Sequence, residues 1–365
     1  MSRWIVATFL LLFACRSHRG EPPSSPTPAS EMVVGPLENH FTAVASRAHA
    51  MVAGVVTAEG VAWVKSYGEA PNARDTVFRI GSLTKVLTGI AILKLRDDGE
   101  LSLDDTLTRF VPEADEIIYP SGALKITLRH VLAHTSGIPR LGKLEYTKGD
   151  HDMSESELIS ELAGLKLDFA PGTKVEYSNL AVALMGLVVA RASGTTYRDY
   201  VTANVFRPLG MTRSFFSEHD VPAGALAPGY VRDPFGDVSR GGPHWRLGAM
   251  EAMGGAYSTF DDMAKLVAWQ LAPERGGPLK SESVRESQRA AFPNVGDMHF
   301  GVAWIVADAP DLGRLVAMTG ATLDYAASLA LAVDKRRAVV ILASGADFDE
   351  IGHAASRGLR LAVRH

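Results

Sequence analysis

Ser82 and Lys85 are residues whose types and spacing could perform chemistry. They begin an apolar stretch with helical spacing, and residues three apart on a helix are neighbours on its surface. A serine hydroxyl attacks a carbonyl once a base removes its proton, and a desolvated lysine can be that base. The first turn of a helix also favours the negative charge that develops. Alone the pair is weak evidence, because Ser-x-x-Lys arises by chance about once in a chain this long and serine commonly caps helices.

Two further segments could complete such a site. Tyr177 and Asn179 stand just before a second apolar helix. A phenol held as phenolate near a lysine can shuttle protons, whereas the alternative is a packed tyrosine with Asn179 as an N-cap. The third segment ends a predicted edge strand, where small residues let a substrate backbone approach and an N–H can complete an oxyanion hole. Its residues are Met318, Thr319, Gly320 and Ala321.

Rival catalytic patterns do not occur in the sequence. It has no Gly-x-Ser-x-Gly elbow, no His-Glu-x-x-His, no Gly-x-Gly-x-x-Gly and no phosphate-binding loop. His134 could be the base of a triad, but we expect it to hydrogen-bond a loop in place. Cys15 is the only cysteine, which excludes a disulfide framework and a thiolate zinc site. We therefore expect neither a metal nor an organic cofactor.

The elements that must position these residues come from both ends of the chain. Valine-rich runs around Ala58–Gly60 predict a two-stranded hairpin over residues 50–67. Apolar periodicity predicts helices from Ser82 to Asp98 and from Asn179 to Ala192. The second helix is apolar on most sides and should be buried.

From residue 300 onward the pattern changes to short apolar runs separated by turns, which predict an antiparallel meander and a last helix over 350–363. The predicted strands are 301–306, 314–318, 325–333 and 338–343. The two ends of the chain should form one sheet, with a mainly helical insertion over roughly 100–290. The predicted fold is therefore α+β, an antiparallel sheet flanked by helices.

The start of the chain predicts export. A charged residue and an apolar stretch of about ten residues make a signal peptide over 1–15. Leu12–Cys15 is similar to a bacterial lipobox, in which the cysteine is lipidated; the alternative is an ordinary signal peptide with a chance cysteine. The proline- and serine-rich segment 16–35 cannot bury a core and is predicted to be a tether. The net charge of −4 gives no electrostatic footprint for nucleic acid.

Taken together, the motifs resemble the serine β-lactamase and penicillin-binding-protein superfamily, and specifically the class C β-lactamase-related serine hydrolases. The resemblance extends over roughly residues 40–360. The matching segments are Phe78–Lys85, Leu132–Pro139, Pro171–Gly186, Phe206–Met211 and Gly254–Thr259. It implies a β-lactamase/transpeptidase-like catalytic domain over residues 36–365, with the site in the cleft between the sheet and a helical domain.

The resemblance also implies a role for each site residue. Ser82 would be the acylated nucleophile, Lys85 its base or proton partner, and Tyr177 the shuttle for the attacking water. Asn179 would hold a substrate amide or Lys85. The N–H groups of Ser82 and Ala321 would form the oxyanion hole, and Thr319 and Gly320 would line the substrate strand.

One departure from the family concerns Met318, because the third motif usually begins with a lysine or histidine that binds a substrate carboxylate. A thioether cannot replace that bond, and its loss costs about 1.5–3 kcal/mol. Asp324 would also repel an anionic substrate if it faced the cleft. Both changes argue against an efficient β-lactamase and favour an esterase or amidase that acts on a less charged substrate.

The sequence thus predicts an exported, lipid-anchored serine hydrolase, facing the periplasm, that cleaves an ester, amide or lactam through an acyl-enzyme at Ser82. Its substrate would be a small molecule or a peptidoglycan-derived compound. A penicillin-binding-type D-peptide hydrolase or a β-lactamase is an alternative within that class. A non-hydrolytic lipoprotein that binds or senses peptidoglycan or β-lactams is the alternative from another class.

Overall fold

A computed structural model describes residues 34–142, 152–232, 238–241 and 246–364. The predicted signal peptide with Cys15 lies outside the described residues, as does the predicted tether up to residue 33. The last two residues assigned to the tether, Val34 and Gly35, begin the first helix.

The described helices are α1 (Val34–Ala45), α2 (Thr84–Asp97), α3 (Leu128–Leu132), α4 (Glu155–Ser160), α5 (Asn179–Ser193), α6 (Tyr197–Val201), α7 (Arg207–Leu209), α8 (Phe260–Leu271), α9 (Ser281–Ser287) and α10 (Phe348–Arg364). The described strands are β1 (Ala50–Thr57), β2 (Gly60–Gly68), β3 (Val77–Arg79), β4 (Tyr230–Arg232), β5 (Val238–Arg240), β6 (Tyr257–Thr259), β7 (His299–Phe300), β8 (Ile305–Ala309), β9 (Gly313–Ala321), β10 (Tyr325–Ala332) and β11 (Arg337–Ser344).

Seven strands from the two ends of the chain form one antiparallel sheet, in the order β2-β1-β11-β10-β9-β8-β7. The ends join where β1 pairs with β11, from Ala50 opposite Ser344 to Thr57 opposite Arg337. Strands β1 and β10 are buried at every position, so helices must cover both faces of the sheet. Helix α10 packs against β10 and β11, and α8 packs against β1 and β11. The predicted α+β fold is confirmed.

Most predicted elements are confirmed, but the strand over 301–306 is wrong. Residues 301–304 form the turn between β7 and β8, closed by a hydrogen bond of 2.8 Å from the Gly301 N–H to the Trp304 carbonyl oxygen. Ala303 has a φ of +61°, which a strand does not allow. The apolar run is typical of a strand because Val302 and Trp304 are core residues, although they reach the core from a turn.

Strand β9 is not an edge strand as predicted, since it lies between β10 and β8. Its pairing with β8 covers only Gly313 to Ala317. Beyond that point, Met318 to Ala321 pair only with β10 among the described residues. The second half of β9 therefore presents one main-chain edge that β8 leaves uncovered.

Two buried helices, α2 and α5, pack against each other. Helix α5 packs against α2 and is buried from Leu180 to Val189. It ends where Gly194 adopts the left-handed conformation, with φ +71°, which glycine accepts without strain. Because Ser82 immediately precedes α2 and Asn179 begins α5, this packing brings two predicted site segments together.

Candidate active site

The nucleophile candidate lies in the single turn of 3-10 helix, Gly81–Leu83, that leads into α2. Gly81 has φ +49°, a left-handed conformation that favours glycine. The Thr84 hydroxyl donates to the Gly81 carbonyl oxygen at 2.7 Å and accepts from the Ala256 N–H at 3.1 Å. These bonds hold the start of α2 in place. The half-buried Ser82 lies there with its hydroxyl next to the Lys85 amine.

Lys85 is completely buried and lies at the centre of the site. Its Nζ is 3.0 Å from the Ser82 Oγ and 2.9 Å from the Asn179 Oδ1, and it also donates to the Met253 carbonyl oxygen. Burial and, secondarily, the positive charge of Arg140 hold the pKa of the Lys85 amine well below its usual range. A neutral amine at this position can accept the serine proton.

Tyr177 lies next to the same amine. The centroid of its ring is 4.9 Å from the Lys85 Nζ, and the ring stacks on His134 at a centroid distance of 4.3 Å. The guanidinium carbon of Arg140 is 5.2 Å from the same centroid. The Lys85 amine and the Arg140 guanidinium therefore both lie beside the Tyr177 ring. The structure thus brings together Ser82, Lys85, Tyr177 and Asn179, from three separate parts of the sequence.

His134 holds the Tyr177 segment in place, as its position in the sequence predicts. Its Nδ1 accepts a hydrogen bond of 3.2 Å from the Ser178 N–H, and the Ser178 hydroxyl donates to the Pro139 carbonyl oxygen at 2.8 Å. Burial, then the charges of Lys85 and Arg140, hold the pKa of His134 well below its usual range. The ring is therefore neutral, which its role as an acceptor at Nδ1 requires.

One face of the second half of β9 meets the start of α2 without room for a side chain at Gly320. A Cβ at Gly320 would lie 2.1 Å from the Ile80 carbonyl oxygen and 2.8 Å from the Ser82 nitrogen. A Cβ at Gly81 would lie 2.7 Å from the Ala321 nitrogen. This approach brings the main chain at Gly81 and Ser82 close to that at Gly320 and Ala321, where two N–H groups could share one oxyanion.

In the third segment, Thr319 turns its side chain away from that contact, whereas Met318 lies on the same face of β9 as Gly320. Met318 is 2% exposed and belongs to the hydrophobic core. The Thr319 hydroxyl lies 3.2 Å from the Ser328 hydroxyl oxygen, and a Cβ on Gly352 of α10 would lie 3.3 Å from the Thr319 Oγ1. The sequence groups Met318 with the substrate-binding residues, but its thioether is enclosed by apolar neighbours rather than open to a ligand.

Asp324 is 5% exposed, so it presents almost no surface to a ligand. Its Oδ1 accepts a hydrogen bond of 2.8 Å from the Thr322 hydroxyl. A Cβ at Gly229 would lie 2.2 Å from its Oδ2. The expected repulsion of an anionic substrate depended on a carboxylate that faces the cleft, and this carboxylate is buried. The neighbouring Leu323 is 60% exposed and gives this turn an apolar surface.

Two contacts to the site have no equivalent among the sequence predictions. The carbonyl oxygen of Met253 accepts from Lys85, and a main-chain group leaves no signal in residue identity. Arg140 contacts Tyr177. It directly follows the Leu132–Pro139 segment, and its position there was the only sign in the sequence that it could belong to the site.

The described residues contain no group of three or more histidine, cysteine, aspartate or glutamate side chains that could hold a metal ion. Across the same part of the chain, no single helix is long and apolar enough to cross a membrane. One bent pair, Asn179–Ser193 with Tyr197–Leu209, could do so by length and composition.

Comparison with known proteins identifies the family. The family model described as Beta-lactamase matches residues 37–364, so this chain belongs to the beta-lactamase family. The structure of an octameric penicillin-binding protein homologue from Pyrococcus abyssi superimposes with a TM-score of 0.74 and 26% identity, over 91% of this chain and 77% of that one. The predicted membership of the serine β-lactamase and penicillin-binding-protein superfamily is confirmed.

Curated relatives include proteins with different names. Beta-lactamase-like protein 2 of Dictyostelium discoideum is 32% identical over 262 residues, 68% of this chain and 47% of that protein. Esterase EstB of Burkholderia gladioli is 37% identical over 154 residues, 39% of this chain and 38% of that protein. The chain thus matches less than half the length of either relative.

Proposed function

We propose that this protein is a serine hydrolase that cleaves carboxylic esters through an acyl-enzyme at Ser82. The observation that carries the proposal is the distance of 3.0 Å between the Ser82 Oγ and the Nζ of a completely buried Lys85. Burial disfavours the ammonium form, so the amine can act as a base for the hydroxyl that it contacts. Family membership and the relative named as an esterase support the same class of reaction.

In the first half-reaction, the Ser82 Oγ forms a bond to the acyl carbon and its proton passes to the Lys85 Nζ. The carbonyl oxygen takes the negative charge and is stabilised by the N–H groups of Ser82 and Ala321. Collapse of this intermediate breaks the bond to the alcohol oxygen, which leaves with the proton from Lys85. The products are the alcohol and a Ser82 ester.

In the second half-reaction, water adds to the acyl carbon and gives its proton to the Tyr177 phenolate. The intermediate then breaks the bond to the Ser82 Oγ, which recovers a proton from the same group, and the acid leaves. Asn179 keeps the Lys85 Nζ between the serine and the phenol through their contact of 2.9 Å.

An ester without a carboxylate anchor fits the site better than a β-lactam. Met318 brings no positive charge and is 2% exposed. Leu323, two residues after Ala321, is 60% exposed and offers an apolar contact at the end of β9. An uncharged acyl or alcohol group can use that contact, whereas the usual partner of a β-lactam carboxylate is missing.

The test combines labelling with turnover. We expect a fluorophosphonate probe to label the protein at Ser82, and p-nitrophenyl butyrate to give a burst of one p-nitrophenol per molecule followed by steady hydrolysis. Ser82→Ala should abolish both signals, while Ser121→Ala, which removes an exposed serine from a turn, should leave both intact. Labelling without turnover on any ester would support the binding or sensing alternative instead, and full activity in Ser82→Ala would overturn the proposal.

The proposal extends to location: export, lipid attachment at Cys15, and a position at a bacterial membrane that faces the periplasm. Its support is the lipobox-like Leu12–Cys15 segment, which lies outside the described residues. The full chain expressed in a bacterium should partition into detergent and incorporate labelled palmitate, and Cys15→Ser should do neither. Equal partitioning of both forms would contradict the anchor.

A further inference from the structure

The site contains a cationic side chain, Arg140, that the proposed mechanism does not use. Arg140 is exposed, and its guanidinium carbon lies 5.2 Å from the centroid of the Tyr177 ring. The Lys85 Nζ lies 4.9 Å from the same centroid. The guanidinium carbon and the amine are therefore no more than about 10 Å apart, roughly one Debye length at 0.1 M salt.

The main chain fixes Arg140 to the segment that carries Tyr177. The Arg140 carbonyl oxygen accepts hydrogen bonds from the Asn179 N–H at 3.0 Å and the Leu180 N–H at 3.4 Å. One residue earlier, the Pro139 carbonyl oxygen accepts from the Ser178 hydroxyl. These bonds satisfy N–H groups in the first turn of α5, so the side chain of Arg140 starts from a backbone that cannot move independently of Tyr177.

Besides the neutral partners Asn179 and Met253, the described groups beside the Lys85 amine and the Tyr177 phenol include charged, titratable and aromatic side chains. Residue 85 itself belongs to α2, and the segment after α3 contributes Arg140 and the neutral His134. Strand β7 contributes the ring of Phe300, 6.4 Å from Tyr177 between centroids. Strand β9 contributes no charge at position 318, because Met318 stands where the resemblance expects a cation. The charge that acts on Lys85 from its surroundings is that of Arg140.

We propose that Arg140 is a positioning residue for the acyl transfer, which supplies the positive charge absent from position 318 and keeps Lys85 and Tyr177 ready to accept protons. A nearby positive charge repels a proton from the amine and stabilises the phenolate, so both groups become better proton acceptors near neutral pH. This charge comes from the segment after α3, whose Arg140 guanidinium lies beside the Tyr177 ring. This inference rests on the proposed function, because it concerns the same Ser82–Lys85 pair.

The test is the pH profile of kcat/KM for p-nitrophenyl butyrate in a graded series at position 140. Activity should rise with pH as the Lys85 amine loses its proton. Arg140→Lys keeps the charge and should leave this acidic limb in place. Arg140→Gln should move the limb to higher pH by about 0.5–1 unit, and Arg140→Glu should move it further. At a fixed pH on that limb, the glutamine variant should lose roughly threefold to tenfold, with a smaller loss toward the plateau.

Lys174→Gln is the matched control, since it removes an exposed cation from the loop that leads to Tyr177 and should not move the limb. Tm values for all variants identify any loss of folding, and the ordering by charge separates an electrostatic effect from a structural one. An unmoved limb in Arg140→Gln, or equal shifts in the lysine and glutamine variants, would overturn the inference. If the inference about Arg140 is wrong, the probe still labels Ser82. If the proposed function is wrong, the probe does not label Ser82.

Discussion

The two sides of the site differ in what they contribute: one contributes side chains and the other contributes main chain. On the helical side, formed by the starts of α2 and α5, side chains contact one another: Lys85 reaches Ser82 and Asn179 and lies beside Tyr177. On the sheet side, the end of β9 brings its main chain at Gly320 against the turn that carries Ser82. Proton transfer therefore depends on residue identity on one side, while stabilisation of the oxyanion depends on backbone geometry on the other.

The largest loss should follow removal of the base on the helical side. Lys85→Met keeps the length and apolar stem of the side chain but removes the amine, so kcat/KM for p-nitrophenyl butyrate should fall by about 10³-fold or more. The fold should persist with reduced stability, because the Asn179 Oδ1 and the Met253 carbonyl oxygen lose their donor. Lys94→Met is the control on the same helix, since Lys94 pairs with Asp98 at the surface. A loss in Lys85→Met of less than tenfold would exclude Lys85 as the base.

Tyr177→Phe should cost less, about 10²-fold, because it removes one proton shuttle and leaves nucleophile and base in place. If the phenol activates water in the second half-reaction, the burst should survive while the steady rate falls. Stopped-flow measurement of p-nitrophenol release separates the two phases. Tyr119→Phe is the control, because the hydroxyl that it removes accepts from the Ile126 N–H instead of contacting a site residue. This variant should behave as the original protein. Equal loss of burst and steady rate would assign Tyr177 to acylation instead.

On the sheet side, the sensitive change is the addition of a single methyl group. Gly320→Ala would place a Cβ 2.1 Å from the Ile80 carbonyl oxygen, so β9 must move away from the Ser82 main chain. We expect kcat/KM to fall by roughly tenfold to a hundredfold, less than the loss of a whole oxyanion donor. Gly254→Ala is the control, since its Cβ would find its nearest atom at 3.7 Å. Full activity in Gly320→Ala would show that this close approach is dispensable.

A side-chain change on the sheet side should affect stability more than chemistry. Met318→Lys would restore the residue typical of the family, but at a position that is 2% exposed within the core. We expect the free energy of unfolding to fall by about 1–3 kcal/mol without new hydrolysis of nitrocefin. Met318→Leu, of similar volume, should cost less than about 1.5 kcal/mol. Rapid nitrocefin hydrolysis by Met318→Lys would mean that the side chain reaches the ligand after all.

The same contrast explains how much the sequence alone could predict. The roles proposed for Ser82, Lys85 and Tyr177 depend on side chains, which residue identity can indicate. The structure places these side chains and Asn179 next to one another. Periodicity gave the hairpin, α2, α5 and most of the meander, because each follows from local spacing. The strand over 301–306 was wrong because Val302 and Trp304 are buried from a turn, and periodicity reports burial more directly than backbone conformation.

The features that could not be predicted from the sequence depend on contacts between segments that are far apart in the chain. The Met253 carbonyl oxygen receives Lys85 regardless of which side chain stands at 253. The burial of Asp324 depends on Gly229, nearly a hundred positions away in the chain. The place of β9 in the sheet was also missed, since it depends on how far β8 extends along it. Each is a long-range pairing that a single sequence leaves open.

The smallest expected effect is on the pH dependence of stability, through His134, which holds the Tyr177 segment on the helical side. His134 is neutral in the folded state with a lowered pKa, so the unfolded chain binds its proton more readily. Stability is therefore fully present above the ordinary histidine pKa of about 6.5 and declines as the pH falls below it. His134→Asn should flatten that part of the decline in Tm, because an asparagine oxygen can accept from the Ser178 N–H without titrating and tolerates the φ of +56°. His219→Asn, at an exposed position, is the matched control and should leave the profile unchanged. If His134→Asn and the original protein lose Tm in parallel between pH 7 and 5, protonation of other groups accounts for the decline, and His134 acts by its hydrogen bond alone.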